Sequence, residues 1–188
     1  RVDLKPELAE RAIDIVGTGG DNSNTVNVST MSALVVAGAG VPVCKHGNRA
    51  ASSKCGAADL LEEAGVAIEL DPHGVEACVV ETGFGFCLAA KFHPAFRYTG
   101  PSRREIGVPT AFNLLGPMAN PAPIANMLVG VAMPNMMAAM TGALSTRGVT
   151  SAWVVHGHGG LDELAVSGPN TVFELKDGTV TQFEINAK

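Results

Sequence analysis

No apolar run in this chain reaches the roughly 18–20 residues that a membrane-spanning helix requires, because Pro42 and Lys45 end the longest candidate. The chain also lacks the dense cationic face of a nucleic-acid-binding surface, since its formal net charge is −5. That balance leaves room for a phosphate ligand, which needs only a few cations locally. Cys44, Cys55, Cys78 and Cys87 show no CxxC spacing and no matching His pair. They read as small buried hydrophobes in a reducing compartment rather than as a structural zinc site. No lysine follows the glycines in a GxxxxGK[ST] pattern, and no GxGxxG follows the first expected strand, which weakens ATP-type and dinucleotide readings. Internal repeats and low-complexity linkers are missing too. The sequence begins at Arg1 with neither an initiator Met nor a signal peptide, so it reads as a piece of something longer or a processed product. A cytoplasmic location is expected, with no membrane and no nucleic-acid partner.

What is present suits an α/β protein. The 188 residues, 46% hydrophobic, allow one sizeable core and are too few for two full domains, so a single domain over residues 1–188 is expected. Short apolar strands alternate with helices, which argues for a mainly parallel sheet flanked by helices on both faces. Strands are expected over residues 12–16, 41–44, 66–70, 84–89, 127–133 and 152–155. Helices are expected over 4–12, 29–38, 57–64 and 74–82, and from Pro134 to about Thr146, with core-filling methionines Met136, Met137 and Met140. Residues 91–104 read as a basic loop, and 109–121 as a short helix with irregular backbone. A hairpin closes the chain, with Asp177-Gly178 as its type I′ turn signal.

The stretch around which the rest is organised is IVGTGGDNSNTVNVST, residues 15–30. Strand, glycine-rich turn, polar loop and helix start follow one another, with Asn27 or Ser29 as the helix cap. Glycine backbone can approach an anion without a Cβ in the way, and the next helix adds unpaired N–H groups and the positive end of its dipole. Two more polar loops follow expected strands. Residues 45–56 collect Lys45, His46, Asn48, Arg49, Ser52 and Ser53, cations and hydroxyls of the kind a polyphosphate requires; the bland alternative is a solvated loop. Residues 156–163 carry Asp162-Glu163, either surface decoration or hard oxygen ligands for Mg²⁺. His156 and His158 lack a third ligand for a transition metal. Arg97, Arg103 and Arg104 form a local basic cluster, one of which could grip a carboxylate as a fork. Ligands of parallel sheets sit at the carboxyl ends of the strands, so the three loops could converge on one site for an anionic, phosphate-bearing, Mg²⁺-dependent substrate.

The motifs GTGGD at 17–21, NVST at 27–30, KHGNRAASS at 45–53, GAAD at 56–59, FNLLGP at 112–117, NP at 120–121 and HGxxGLDE at 156–163 resemble anthranilate phosphoribosyltransferase, in that family's order and near its spacing. The pyrimidine nucleoside phosphorylases share the GTGGD theme but not KHGNR with FNLLGP. A phosphorylase-like enzyme is the alternative, and a non-catalytic relative that binds phosphoribosyl pyrophosphate (PRPP) or nucleic acid is another. The resemblance implies a nucleoside phosphorylase/phosphoribosyltransferase-like core and transfer of the 5-phosphoribosyl group of PRPP to the amine of anthranilate, a step of tryptophan biosynthesis. It implies that Gly17, Gly20, Asp21, Thr25, Asn27, Val28, Ser29, Thr30, Lys45, His46, Gly47, Asn48, Arg49, Ala50, Ala51, Ser52, Ser53 and Ala57 hold PRPP. It places anthranilate at Gly17, Asn48, Arg103, Gly116 and Pro117, and Mg²⁺ at Ser29, Asp162 and Glu163, with Lys45, Asn48 and Arg103 as the residues closest to the chemistry. Cys55, Ala57, His158 and Asn22 depart from the family pattern, which is expected to weaken PRPP or metal affinity. Family members also carry an N-terminal helical region that supplies a homodimer interface, and a long C-terminal segment, both mostly missing from these 188 residues.

Overall fold

The structure, a computed structural model, describes residues 1–21, 23, 25–50, 55–106, 108 and 110–187, without the side chains of residues 100, 103 and 104. A seven-stranded sheet runs through it, in the order β3-β2-β1-β4-β5-β6-β7. The strands are β1 (Ile13–Gly17), β2 (Val43–Gly47), β3 (Phe84–Leu88), β4 (Asn126–Gly130), β5 (Ser151–His156), β6 (Gly168–Lys176) and β7 (Thr179–Ala187). The first five pair in parallel, and β6 and β7 add an antiparallel hairpin to one edge. At its turn Asp177 and Gly178 both take positive φ, 48° and 80°, as a type I′ turn demands. From β1 the chain winds out to β2 and β3, then crosses back to β4. The order therefore reverses between β1 and β4, and such a switch point opens a crevice at the carboxyl ends of the strands.

Among the described residues, eight helices flank the sheet: α1 (Pro6–Arg11), α2 (Val28–Gly38), α3 (Ala57–Glu63), α4 (Pro72–Thr82), α5 (Ala89–Phe92), α6 (Gly100–Ile106), α7 (Ala111–Leu115) and α8 (Met137–Thr146). On one face Val75 and Val79 of α4 and Met137, Met140 and Leu144 of α8 pack with Cys44, Met127, Val129 and Val154. On the other, Ala33 of α2 meets Ile15 and Val43, and Ala58 and Leu61 of α3 meet Phe86 and Leu88. Leu61 and Leu144 are fully buried; truncating such a leucine to alanine costs about 2–5 kcal/mol.

Four expectations need correction. Lys45, His46 and Gly47 are not loop residues but the second half of β2, paired with Phe86, Cys87 and Leu88 of β3. Residues 66–70 form no strand; Ile68 instead packs into the cluster of Ala58, Leu61 and Phe86. Residues 91–104 are helical rather than loop-like: the end of α5, a 3-10 turn at Pro94–Tyr98 and the start of α6. Pro134 opens a 3-10 turn, and α8 starts only at Met137. Cys44 and Cys87 are buried as expected, whereas Cys78 is half-buried and Cys55 exposed.

Candidate active site

Two of the three expected loops meet over the ends of β1, β4 and β5. Gly19 and Gly20 take positive φ, 65° and 82°, and this turn aims the Gly19 N–H at Asp162 Oδ2, 2.6 Å away. Thr25 donates its hydroxyl to Glu163 Oε1 at 2.9 Å, and Ser23 donates to Asp21 Oδ2 at 2.6 Å. Asn27 is the cap of α2: its Oδ1 accepts the Thr30 N–H at 3.0 Å and the Ser29 hydroxyl at 3.3 Å. Val28 opens the helix, and Thr30 is fully buried in its first turn. Asn113 of the FNLLGP motif donates to the Thr18 carbonyl at 3.4 Å, which ties α7 to the cradle.

Asp162 and Glu163 are half-buried, and burial raises both carboxyls above their ordinary values, with Asp21 and, for Glu163, the Asp162 charge adding repulsion. Their hydrogen bonds from Gly19 and Thr25 oppose that rise. A site that disfavours its own negative charge is one that a cation would relieve. Among the described residues no set of three or more His, Cys, Asp and Glu side chains is gathered around a metal position. Two adjacent hard carboxylates nonetheless fit Mg²⁺, which takes one or two carboxylates and fills its octahedron with water and substrate phosphate. Ser29 is hydrogen-bonded to Asn27 and Lys45 rather than to either carboxylate.

Lys45 and His46 point to opposite faces of β2, as neighbours on a strand must. Lys45 is 1% exposed; its ammonium donates to the Ile15 carbonyl and, at 3.3 Å, to Ser29 Oγ. Burial lowers its pKa to about 8, against the pull of Asp14. Asp14 is fully buried and pushed up to about 6 by desolvation, although Lys45, the Asn120 amide (2.9 Å) and the His46 N–H (3.1 Å) hold it down. His46 is lowered to about 4, first by burial and then by the neighbouring His93. Its ring meets His93 edge-on at 5.2 Å and faces the Gly116 backbone. An aromatic row continues from His93 to Phe96 (5.1 Å) and on to Phe112 (5.4 Å). Gly116 caps α7, and Pro117 is buried beside it.

The other expected residues scatter more. Asn48 is exposed, and its carbonyl accepts the Ala58 N–H at the start of α3. The guanidinium of Arg49, expected to hold phosphate, is engaged elsewhere: it donates to Glu62 at 2.6 and 3.0 Å and to Asp59 at 3.3 Å. Asp59 also accepts the N–H groups of Ala50 and Gly56, both at 2.8 Å. Those two N–H groups, helped by Arg49, hold Asp59 below the usual carboxylate range, and Arg49 does the same for Glu62. Ala57 begins α3 and lies where a Cβ on Gly47 would collide with it. Ala51, Ser52, Ser53 and Asn22 lie outside the described residues, as does the side chain of Arg103 in α6. Arg97 stacks over Tyr98 at 4.7 Å. His156 Nδ1 lies 2.8 Å from the Val131 carbonyl, in keeping with a local rather than a metal-binding role.

Sequence reasoning missed Asp14, His93, Phe96 and Gly130. Asp14 had a signal, a lone carboxylate inside the apolar run of β1. Gly130 had none: only the fold shows that a Cβ there would overlap the Asp162 carbonyl.

Residues 9–188 match the model of the glycosyl transferase family, a/b domain. The anthranilate phosphoribosyltransferase of Salinispora arenicola is 52% identical over 187 residues, all of this chain and 53% of that protein. That of Frankia alni is 58% identical over 175 residues, 93% of this chain and 47% of that protein. The crystal structure of the Thermus thermophilus anthranilate phosphoribosyltransferase superposes with a TM-score of 0.85 at 48% identity, covering 94% of this chain and 52% of that one. The Saccharomyces cerevisiae enzyme in complex with PRPP and Mg gives 0.85 at 33% identity, over 98% and 50%. The chain thus spans about half the length of the curated relatives it matches. With the parallel sheet, its reversed strand order and the glycine cradle over Asp162-Glu163, these matches place the chain in the glycosyl transferase family, a/b domain.

Proposed function

We propose that this chain carries the PRPP-binding core of an anthranilate phosphoribosyltransferase, which transfers the 5-phosphoribosyl group of PRPP to the amine of anthranilate and releases pyrophosphate. The observation that carries this reading is the convergence of the Gly17–Asp21 backbone, Lys45 and the Asp162-Glu163 pair at the switch point of the sheet. The Saccharomyces relatives in complex with PRPP and Mg and with 4-fluoroanthranilate support it.

Displacement at C1 of the ribose builds positive charge on the sugar and negative charge on the departing pyrophosphate. The protein's largest task is therefore to stabilise the leaving group with donors fixed in advance. The Gly17–Asp21 turn and the N-terminus of α2, capped by Asn27 and opening on Val28, Ser29 and Thr30, turn the positive end of the helix dipole toward the phosphates. The Gly19 and Thr30 N–H groups, held by Asp162 and Asn27, would serve them by exchanging those partners for phosphate oxygens. Lys45 supplies a buried cation on the same face. Asp162 and Glu163 would hold Mg²⁺, and Ser29 would join them by giving up its bonds to Asn27 and Lys45; when bound, the ion would supply Lewis-acid stabilisation of pyrophosphate charge. On the opposite face, His46, His93, Phe96 and the Gly116-Pro117 turn form an aromatic wall suited to a flat benzoate, and Arg103 of α6 is the carboxylate fork. Anthranilate's amine is already a free base at neutral pH, so orientation rather than a strong general base sets the rate.

The test follows anthranilate emission in the presence of this 188-residue chain and PRPP, with and without Mg²⁺. Loss of emission that requires both PRPP and Mg²⁺ is the expected result. A chain that consumes no anthranilate and binds no PRPP by calorimetry contradicts the reading.

A further inference from the structure

The loop that carries Asp162 and Glu163 rests on bare backbone. β1, β4 and β5 end in, or run directly into, Gly17, Gly130 and Gly157. A Cβ at these positions would overlap the Asp162 carboxylate, the Asp162 carbonyl and the Glu163 carbonyl, respectively. The loop also closes on itself, since Gly157 N–H donates to the Leu161 carbonyl at 2.9 Å. Behind it stands one polar side chain that no motif singles out. Asn170 of β6 is 1% exposed. Its Oδ1 accepts the Ala165 N–H at 2.7 Å and the His158 N–H at 3.4 Å. Its Nδ2 shares its two protons among the carbonyls of Ala165 (3.1 Å), Ile185 (3.2 Å) and Gly168 (3.3 Å).

One amide therefore ties both ends of the loop, His158 and Ala165, to the β6–β7 hairpin. We propose that Asn170 is a positioning residue for the Asp162-Glu163 carboxylates, holding them together at the strand ends before any cation arrives. The physical reason is repulsion. Two adjacent half-buried carboxylates, with Asp21 close by, are most comfortable when one swings out to water. Hydrogen bonds at the loop ends oppose that swing, and the glycine floor leaves the backbone room to lie flat. Outer-shell partners of metal-binding carboxylates are worth about 10–100-fold in metal affinity. The identity of the anion that shares the cation rests on the phosphoribosyl-transfer reading; the pinning of the loop does not.

The experiment compares the wild-type chain with Asn170→Ala and Asn170→Asp. Amide hydrogen exchange is read on the metal-free proteins. Mn²⁺ affinity is read from the electron paramagnetic resonance of free Mn²⁺ at saturating PRPP, and PRPP affinity is read separately without metal. For Asn170→Ala we expect faster exchange at His158 and Ala165, unchanged exchange in β4 and β5, and Mn²⁺ affinity lower by about 10–100-fold. Metal-free PRPP affinity should stay within about threefold, since the Gly17–Asp21 cradle is untouched. Asn170→Asp keeps the acceptor contacts but sets a carboxylate oxygen against the Ala165, Gly168 and Ile185 carbonyls, so it should lose at least as much Mn²⁺ affinity as Asn170→Ala. A folded Asn170→Ala with wild-type Mn²⁺ affinity overturns the proposal, as does an equal loss of metal-free PRPP binding, which would mark Asn170 as a general scaffold residue. If Asn170→Ala does not fold, Asn170→Asp is judged by the same criteria. A wild-type chain that takes up no Mn²⁺ with PRPP counts against the metal reading instead; Asn170 is then judged by exchange, and unchanged exchange at Ala165 overturns its role.

Discussion

Lys45 and His46 are adjacent in β2, both buried and both able to carry positive charge, yet they face different worlds. Lys45 looks toward α2, where its ammonium is shared between the Ile15 carbonyl and Ser29 and attracted by Asp14. At about 8, its pKa keeps it mostly protonated at neutral pH. His46 looks toward α5 and the following 3-10 turn, edge-on to His93 and next to Gly116. Among the described residues its Nε2 has no hydrogen-bond partner, and at about 4 the ring is neutral. Strand alternation thus splits one short motif into a cationic side and an uncharged aromatic side. That is the division the proposed transfer needs, since it moves a phosphoribosyl group from a departing pyrophosphate to an aromatic amine.

The largest expected effect falls on the phosphate side alone. Asp162→Asn with Glu163→Gln should lower Mg²⁺-dependent PRPP turnover by about 10²–10³-fold while anthranilate binding stays near wild type; unchanged turnover would remove the metal role. Next in size is an opposition between two buried groups. His46 is lowered from 6.5 to about 4, so its contribution is complete above pH 6.5 and is lost as pH falls toward 4. Asp14 is raised from 3.8 to about 6, so its contribution is complete below pH 4 and is lost as pH rises toward 6. Each is worth about 3 kcal/mol, and over pH 4–6 the slopes cancel. In His46→Gln, unfolding free energy should fall as pH rises through this window, and in Asp14→Asn it should fall as pH drops. Parallel profiles in the two variants would refute the assignment. Arg103→Ala should raise the anthranilate KM about tenfold or more and leave the PRPP KM near wild type; equal effects would mean that Arg103 is not the fork. Arg49→Ala should be smallest. Its ion pairs with Glu62 and Asp59 are surface contacts of a kind that contributes little, so a large drop in Tm would show that they do more than tether an exposed side chain.

Much of this was legible in the chain because local rules and fold agree. The apolar run of β1, the glycines after it and the polar cap of α2 announce a cradle whatever the rest does. The β6–β7 hairpin follows from Asp177-Gly178 between alternating segments. The failures share a cause, tertiary context overriding local chemistry. Lysine and histidine are so seldom fully buried that Lys45 and His46 read as the start of a loop; pairing with Phe86 and Cys87 makes them strand. Residues 66–70 have strand-like composition but do not pair along the outer edge of β3; Ile68 instead buries its side chain between α3 and β3, against Ala58, Leu61 and Phe86. Prolines at 94 and 101 look like loop breakers and instead sit in the first turns of helical segments, where a missing N–H costs nothing. Gly130 meets the Asp162 loop, far along the chain, and Asn170 works through backbone groups of its own neighbourhood, so no motif or spacing rule marks either.

The central claim is the division of β2, and one crossed titration tests it. PRPP with Mg²⁺, and anthranilate by its own fluorescence, are titrated into wild type, Lys45→Met and His46→Gln. Lys45→Met should lose PRPP affinity by about 10²-fold and keep anthranilate affinity, provided Asp14→Asn is added where the unpaired carboxylate destabilises the fold. His46→Gln should do the reverse, weakening anthranilate and sparing PRPP. If both substitutions weaken the same ligand, the two faces of β2 do not serve two substrates and the account is wrong.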